Sequence, residues 1–437
     1  MGRERSLFKR VFFFSGPLGP KRSGNQSIKN TILGYLDAGY SVWHFGMVSA
    51  SDAGHSFDSL RENGRYRYFG LPKAVMETLA TVNRLRRSAT KAVQPPEGGL
   101  VASFPDLVEQ VDLGNEEITY GQILVAAVYA AFEFARGFLP VLLCRPVLLY
   151  GYEIYGIPTA SMLGRLSGIR SLSRYQGTYI TPENYRCYPV RYHFRMMKKP
   201  VTFSVMANDG TRGDWALQKA GVPREKTLFI TNGLDDGISG SDGDAEGIAS
   251  LRNELIGDAD YLLGIFNRAY PFKRIDRAIR LWAGYVAQGA NIRFVVGGGG
   301  PQWEALQQLA HELGIQERIR WEGKIPHKLM AQYYRACDAV FVVNDYANTG
   351  NQVMECLYLG VPLIATDDGN NSSLFRTCPY ALFFPFASPP LDWADVLAKI
   401  DRKGHYQSSS IQTWASRMAK EIEWIEERTR RMENHES

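Results

Sequence analysis

At 437 residues the chain is too long for one ordinary hydrophobic core, so two domains are expected. Its 45% apolar content excludes disorder, and a net charge of +5 is too small for the dense basic face of a nucleic-acid binder. That mild excess suits an anionic ligand or an acidic membrane surface. Cys144, Cys187, Cys337, Cys356 and Cys378 form neither a C-x-x-C pair nor a zinc spacing, so a cytoplasmic, reducing setting is the expectation.

In chain order, the opening MGRERSLFKRVFFFSG has too short an apolar run for a signal peptide, and RVFFF reads as a first strand. The loop GPLGPKRSGNQ follows, then the helix SIKNTILGYLDAG and the strand YSVWHFGMV. The region 83–91, NRLRRSATK, is basic and helical in pattern, as is RMMKKP at 195–200. Both suit either a solvated face or peripheral contact with an anionic membrane. The apolar region from Gln122 to Tyr152 is interrupted by Glu133, Arg136, Pro140, Arg145 and Pro146, so no membrane-spanning helix is expected. Further strands are PVLLYGYEIYG, SLSRYQG, VTFSVM and TLFITNG, each ending in polar or glycine residues.

The segment GISGSDGDAEG, 237–247, has almost nothing to bury and reads as a linker. The strand–helix alternation then restarts with YLLGIFN, IRFVVGGGGP, IRWEG, AVFVVND and PLIATDDG, and the chain from Asp392 onward reads as helical. The expected fold is therefore α/β, with two doubly wound Rossmann-like domains facing a central cleft. Their bounds are 1–236 and 248–415, with a C-terminal helix over 416–437 that packs back on the first domain. Ligands of open α/β sheets sit at the carboxyl ends of the strands, so the cleft is the expected site.

Four stretches of the second half fall at such strand ends. Arg268 and Lys273, beside a helix start, form an anion site or salt-bridge at the surface. Gly297 to Pro301 let a ligand approach the backbone, or simply make a tight turn; Gln302 breaks any dinucleotide fingerprint. Lys324 and Ile325 lie on an extended stretch able to meet a base edge. Thr349, Gly350 and Asn351 open a helix whose amides face the cleft. One turn on, Glu355 interrupts an apolar helix and needs a partner, for which a vicinal diol such as a ribose is suited.

The ordered set TNGLDDG, GIFNRAYPFKRIDRAI, FVVGGGGP, IRWEGKIP and GNQVMECLYLGVPLIATDDG resembles the GT-B glycosyltransferases of family 4, most closely over residues 228–371. The resemblance implies a retaining transfer from a nucleotide-sugar donor to a sugar-containing or lipid-linked hydroxyl acceptor, with no cofactor and no metal. Arg268 and Lys273 then hold the donor diphosphate, Gly298 and Gly300 lie beside the nucleotide, Lys324 and Ile325 touch the base, and Glu355 binds the ribose. Gly24 and Asn25 match the glycine-rich loop that approaches the donor phosphate. Glu153 is a candidate on the acceptor side.

Two departures stand out. The first Glu of the family's two-glutamate signature would fall at Ala347, leaving Asn348, or Asp345 and Asn351, to bond the sugar hydroxyls. Where the family often places His–Gly, this chain has Gln176–Gly177, and an amide cannot act as a base. A nucleotide-sugar epimerase of the same fold and a catalytically degenerate nucleotide-binding subunit are the alternatives.

Overall fold

The computed structural model describes residues 9–16, 25–46, 60, 62–70, 120–178, 180, 190–239, 245–345, 349–367, 369–385, 391–402, 404 and 406–436. The first domain runs β1 (Arg10–Phe14), α1 (Asn25–Asp37), β2 (Ser41–Phe45), β3 (Tyr66–Phe69), α2 (Tyr120–Cys144), β4 (Leu148–Tyr152) and α3 (Glu153–Ser167). It continues with β5 (Ser171–Tyr175), α4 (Val190–Met197), β6 (Phe203–Ala207), α5 (Gly213–Lys219) and β7 (Thr227–Ile230). Its strands pair in parallel in the order β3-β2-β1-β4-β5-β6-β7. A sheet covered on both faces needs apolar residues at every position rather than at alternate ones. RVFFF meets that need: Val11 and Phe13 pack on one face with α1, and Phe12 and Phe14 on the other with α2 and α3.

The second domain begins with α6 (Asp236–Ser239), α7 (Ala245–Ile256), β8 (Tyr261–Phe266), α8 (Ile275–Ala287), β9 (Ile292–Gly297), α9 (Trp303–Glu312) and β10 (Ile319–Gly323). It ends with α10 (Met330–Ala336), β11 (Ala339–Val342), α11 (Asn351–Tyr358), β12 (Leu363–Asp367), α12 (Asn370–Phe375), β13 (Ala381–Pro385) and α13 (Trp393–Ile400). The parallel order is β10-β9-β8-β11-β12-β13. Helix α8 shows why such helices form where they do. Ile275, Ala278, Ile279, Trp282 and Tyr285 recur at helical spacing and are buried, and Trp282 stacks on Phe294 with centroids 4.5 Å apart.

The chain then returns. Residues 408–413 run beside the crossing at 231–235, with Leu234 N–H bonded to the Gln412 carbonyl at 2.7 Å and Trp414 N–H to that of Leu234 at 3.3 Å. Helix α14 (Trp414–Glu436) lays Trp414, Met418, Ile422 and Ile425 on the core shared with α1 and the first sheet.

Several expectations need correction. The helical run expected from Asp392 onward breaks between α13 and α14, and the 237–247 segment carries helix at both ends. Strands β3 and β13 were not anticipated. Ala127–Cys144, within α2, is long and apolar enough to cross a membrane, contrary to the reading from its interruptions. One flank of that helix is nevertheless committed to the domain, because Tyr129, Glu133 and Val141 are buried.

Helix α14 also carries a buried charge cluster. Arg417 and Glu421 are both fully buried and ion-paired, and Tyr150 donates to Glu421 Oε1 at 2.8 Å. Arg174, also buried, donates to the Tyr175 carbonyl and to Asn232 Oδ1, each at 2.9 Å. Removing one partner of such a pair strands the other in a water-free place. Glu421→Ala is therefore expected to lower stability by about 3–5 kcal/mol in urea unfolding, and a loss below about 1 kcal/mol would mean that water reaches the cluster.

Candidate functional site

The carboxyl ends of both sheets meet at the cleft. From the second domain, β8 ends at Phe266 and the chain turns through Asn267 to Lys273 before α8 begins. This loop is zipped to the one after β9: Ala269 N–H bonds the Gly299 carbonyl at 3.0 Å, and Gln302 N–H bonds that of Ala269 at 3.1 Å. So close an approach explains two of the glycines. A Cβ at Gly298 would overlap the Asn267 carbonyl and one at Gly300 the Ala269 carbonyl, and both have positive φ, 124° and 156°. Gly298 and Gly300 thus fix the loop that carries Arg268, whatever else they meet.

Lys273 closes a short turn, its N–H bonded to the Tyr270 carbonyl at 3.0 Å and its Nζ 4.9 Å from the Phe272 ring centre. Burial and the neighbouring Arg268 guanidinium push its pKa down to about 8, and the Asp209 carboxylate opposes that shift from the first domain. A buried ammonium beside a second cation is costly unless an anion joins them. Arg268 is exposed and stands over the Tyr270 ring at 5.4 Å.

The first domain faces them with carboxylates. Asp209 follows β6, accepts from Thr211 N–H and Oγ1, and has its pKa raised by burial to about 6. Its carbonyl accepts from Thr349 N–H at 3.1 Å, directly across the cleft. Glu153 opens α3 with φ of 54°, a strained value for a side chain of its kind. Its Oε1 accepts from Gln176 N–H at 2.6 Å, and burial lifts its pKa to about 7, partly offset by that bond. Gln176 is fixed in place: its Nε2 donates to Ser27 and Tyr152, and its Oε1 accepts from Asn232 at 3.1 Å. Gly177 allows this packing, since a Cβ there would strike the Asp209 carboxylate.

The remaining candidates divide. Gly24 and Asn348, like Ala347, lie outside the described residues; Asn25 begins α1. Lys324 is exposed, whereas Ile325 sits against Gly297 at the end of β9. Gly350 and Asn351 open α11 as expected from the sequence, but the Thr349 amide is spent on Asp209 and its hydroxyl on Asn371 at 2.9 Å. Asp345 is no free sugar ligand either: Arg274 and Arg277 hold it at 3.1 and 2.8 Å. Glu355 is buried, accepts from the Tyr334 hydroxyl at 3.0 Å, and has its second oxygen 3.9 Å from His327. Burial raises its pKa, and the Tyr334 bond counters that shift. Tyr334 satisfies one oxygen and leaves the other turned toward half-exposed His327 at the rim. Among the described residues, no group of three or more histidine, cysteine or carboxylate side chains is gathered to hold a metal ion.

Asp209 was missed by sequence reasoning, although it follows a strand already recognised. The signal available was its position, a polar residue at a strand end in an open α/β sheet.

Comparison with known proteins agrees with this geometry. The solved structure of Anabaena HepE in complex with UDP superposes with a TM-score of 0.66 at 16% identity, covering 96% of this chain and 100% of that one. The fold is thus GT-B. Residues 249–399, within the second domain, match the family described as glycosyl transferases group 1. A D-inositol 3-phosphate glycosyltransferase of Thermomonospora curvata is 28% identical over 233 residues, 50% of this chain and 53% of that protein. One from Nocardia farcinica is 30% identical over 161 residues, 35% of each chain. The chain therefore spans about half of the first relative's length and about a third of the second's.

An anion taken up beside Lys273 is expected to follow that group's titration. With the ammonium as its partner, affinity would be level below the pKa of about 8 and fall as pH rises through it. Between about pH 7.5 and about pH 9, a nucleoside diphosphate is expected to bind up to about tenfold more weakly by calorimetry, and Lys273→Met is expected to flatten that slope. This window lies above the pKa values of Asp209 and Glu153, about 6 and about 7, so their charging adds little to it.

Proposed function

We propose that the chain is a retaining, metal-independent glycosyltransferase that moves a sugar from a nucleotide-sugar donor to a hydroxyl of a sugar-containing or lipid-linked acceptor. The observation that carries the reading is Lys273, set beside Arg268 with its pKa lowered by burial and by that guanidinium, and faced by the Asp209 carboxylate of the first domain. That arrangement awaits a diphosphate. The family match of the second domain supports the same reading.

In this mechanism the bond from the anomeric carbon to the diphosphate oxygen breaks as the bond to the acceptor oxygen forms on the same face. The acceptor proton passes to the departing diphosphate. Arg268 and Lys273 stabilise the charge that grows on that group, so catalysis is chiefly electrostatic and positional. Glu355 takes the ribose hydroxyls with the oxygen that Tyr334 leaves free. Glu153, Asp209 and Gln176 bound the sugar and acceptor side, and Asp209 supplies a carboxylate in a cleft where the signature's first Glu is Ala347. The four free cysteines among the described residues support a cytoplasmic location.

Ala347 also favours a second reading, a catalytically degenerate subunit that keeps its nucleotide pocket; a nucleotide-sugar epimerase would consume donor without an acceptor. A thermal-shift panel of UDP, GDP, TDP, ADP and CMP, with chelator present, separates binding from its absence. UDP is the first to try, since the similar Anabaena structure holds it. A nucleotide at about 100 times its dissociation constant is expected to stabilise the fold by roughly 2.7 kcal/mol. Silence from all five would count against the pocket.

Turnover then distinguishes the readings. With the responding nucleotide's sugars and a panel of acceptors, donor loss is expected only when an acceptor is present, with the anomeric configuration retained by NMR. Lys273→Ala is expected to lower that turnover by about two orders of magnitude or more while the protein remains folded. Nucleotide binding without turnover would leave the degenerate reading standing.

A further inference from the structure

Large apolar side chains left exposed in the described residues collect almost entirely on one surface. Phe138, Leu139, Leu142 and Leu143 on α2 lie there with Met162 and Leu166 on α3. Leu143 is 75% exposed, Leu166 62% and Leu139 59%. Leu139 and Leu143 are one helical turn apart, as are Met162 and Leu166, so each pair shares a face. The two helices are packed together, with Thr159 Oγ1 donating to the Ala130 carbonyl at 3.2 Å. Contiguous exposed apolar surface of this kind marks an interaction site.

Charge around the patch narrows the occupant. From Ala127 to Arg170 the only acids are Glu133 and Glu153. Both are turned inward: Glu133 accepts from Gly16 N–H at 2.9 Å and Glu153 from Gln176 N–H at 2.6 Å. At the edge stand the exposed Arg145 and Arg165, whereas Arg170 is taken by Glu433 at 2.6 Å and Arg136 by the Gly46 and Gly70 carbonyls. Among the described residues at this edge, the exposed acid Glu433 is paired with Arg170, which leaves Arg145 and Arg165 as the exposed charges beside the apolar face, a combination that fits the interface of an anionic bilayer. A second copy fits less well, because a two-fold contact on this face would set Arg145 and Arg165 against the same residues of the other copy.

Spanning is a different matter from lying on the surface. The inner flank of α2 is held by buried Glu133 and by Gly137, where a Cβ would crowd Phe14. Only the outer half of the helix is available, which is the geometry of an in-plane helix. Residues 142–147 lead into the start of β4, while Glu153 follows its end at the cleft, so docking leaves the cleft open.

We propose that the outer face of α2 and α3 docks on anionic lipid bilayers, its leucines entering the acyl boundary and Arg145 and Arg165 meeting lipid phosphates. This surface differs from the basic stretches at 83–91, outside the described residues, and 195–200. It does not depend on the transferase reading.

The test is co-sedimentation of the full chain with phosphatidylcholine vesicles, with and without phosphatidylglycerol. Wild type is expected to pellet with the anionic vesicles. L139E/L143E is expected to reduce the bound fraction about tenfold, and R145E/R165E to reduce it to the level seen on phosphatidylcholine alone. Circular dichroism and melting curves confirm that these surface variants fold. Absence of wild-type binding, or binding unchanged in L139E/L143E, overturns the proposal. So does a dimer in light scattering that L139E/L143E dissolves while no vesicle is bound, which would give the face to a second copy.

Discussion

The geometry of the cleft depends on one pairing of backbone against backbone. The chain crosses between the domains twice, and the crossings lie side by side, Leu234 bonded both to Gln412 and to Trp414. Gly233 makes this possible, because a Cβ there would overlap the Trp414 backbone. Thr231 adds its hydroxyl to the Ser410 carbonyl at 2.7 Å. Asp235, the next residue along, reaches Asn30 of the first domain at 3.0 Å and His327 of the second at 3.5 Å. The crossing therefore orients side chains at the cleft as well as joining the domains.

With the crossings fixed, strand ends face strand ends, and the electrostatics follow. The second domain brings Arg268 and Lys273 and the first brings Asp209 and Glu153. Both carboxylates have pKa values raised by burial and Lys273 has its pKa lowered, so all three stay nearer to neutrality than free groups would. Opposed groups of this kind balance one another across the cleft, and under the proposed function an incoming diphosphate would take the place of the carboxylate partner. The same logic separates Asp345 from the site. Its two guanidinium partners lie on the turn and first residues of α8, where it secures the loop after β8 rather than a ligand.

The long α2 shows how one helix serves two surroundings. Its inner flank is domain core, down to a buried glutamate whose pKa is raised by burial to about 8 even though Gly16 and Thr159 bond to it. Its outer flank is as apolar as the inner one, which leaves no amphipathic contrast to read. Composition alone therefore reports a candidate span, and only the contacts divide the helix lengthwise.

By itself the sequence determined the alternation of strand and helix, the two α/β domains and most strand positions, because burial on both sheet faces writes continuous apolar runs into the chain. It also marked Arg268, Lys273, Glu153 and Glu355, since polar groups at strand ends or inside apolar helices need a local reason, whereas Gln176 stood out only through the family resemblance. Partners were beyond its reach. Asp209 meets Lys273 and Thr349 from 64 and 140 positions away, differences of 273 − 209 and 349 − 209, and no local period encodes that. Nor could it tell that Asp345 was already paired, that Tyr334 would satisfy Glu355, or that half of α2 would face outward. Secondary structure follows from short-range periodicity, whereas the pairing of buried charges and the exposure of a face are fixed only when distant segments fold against one another.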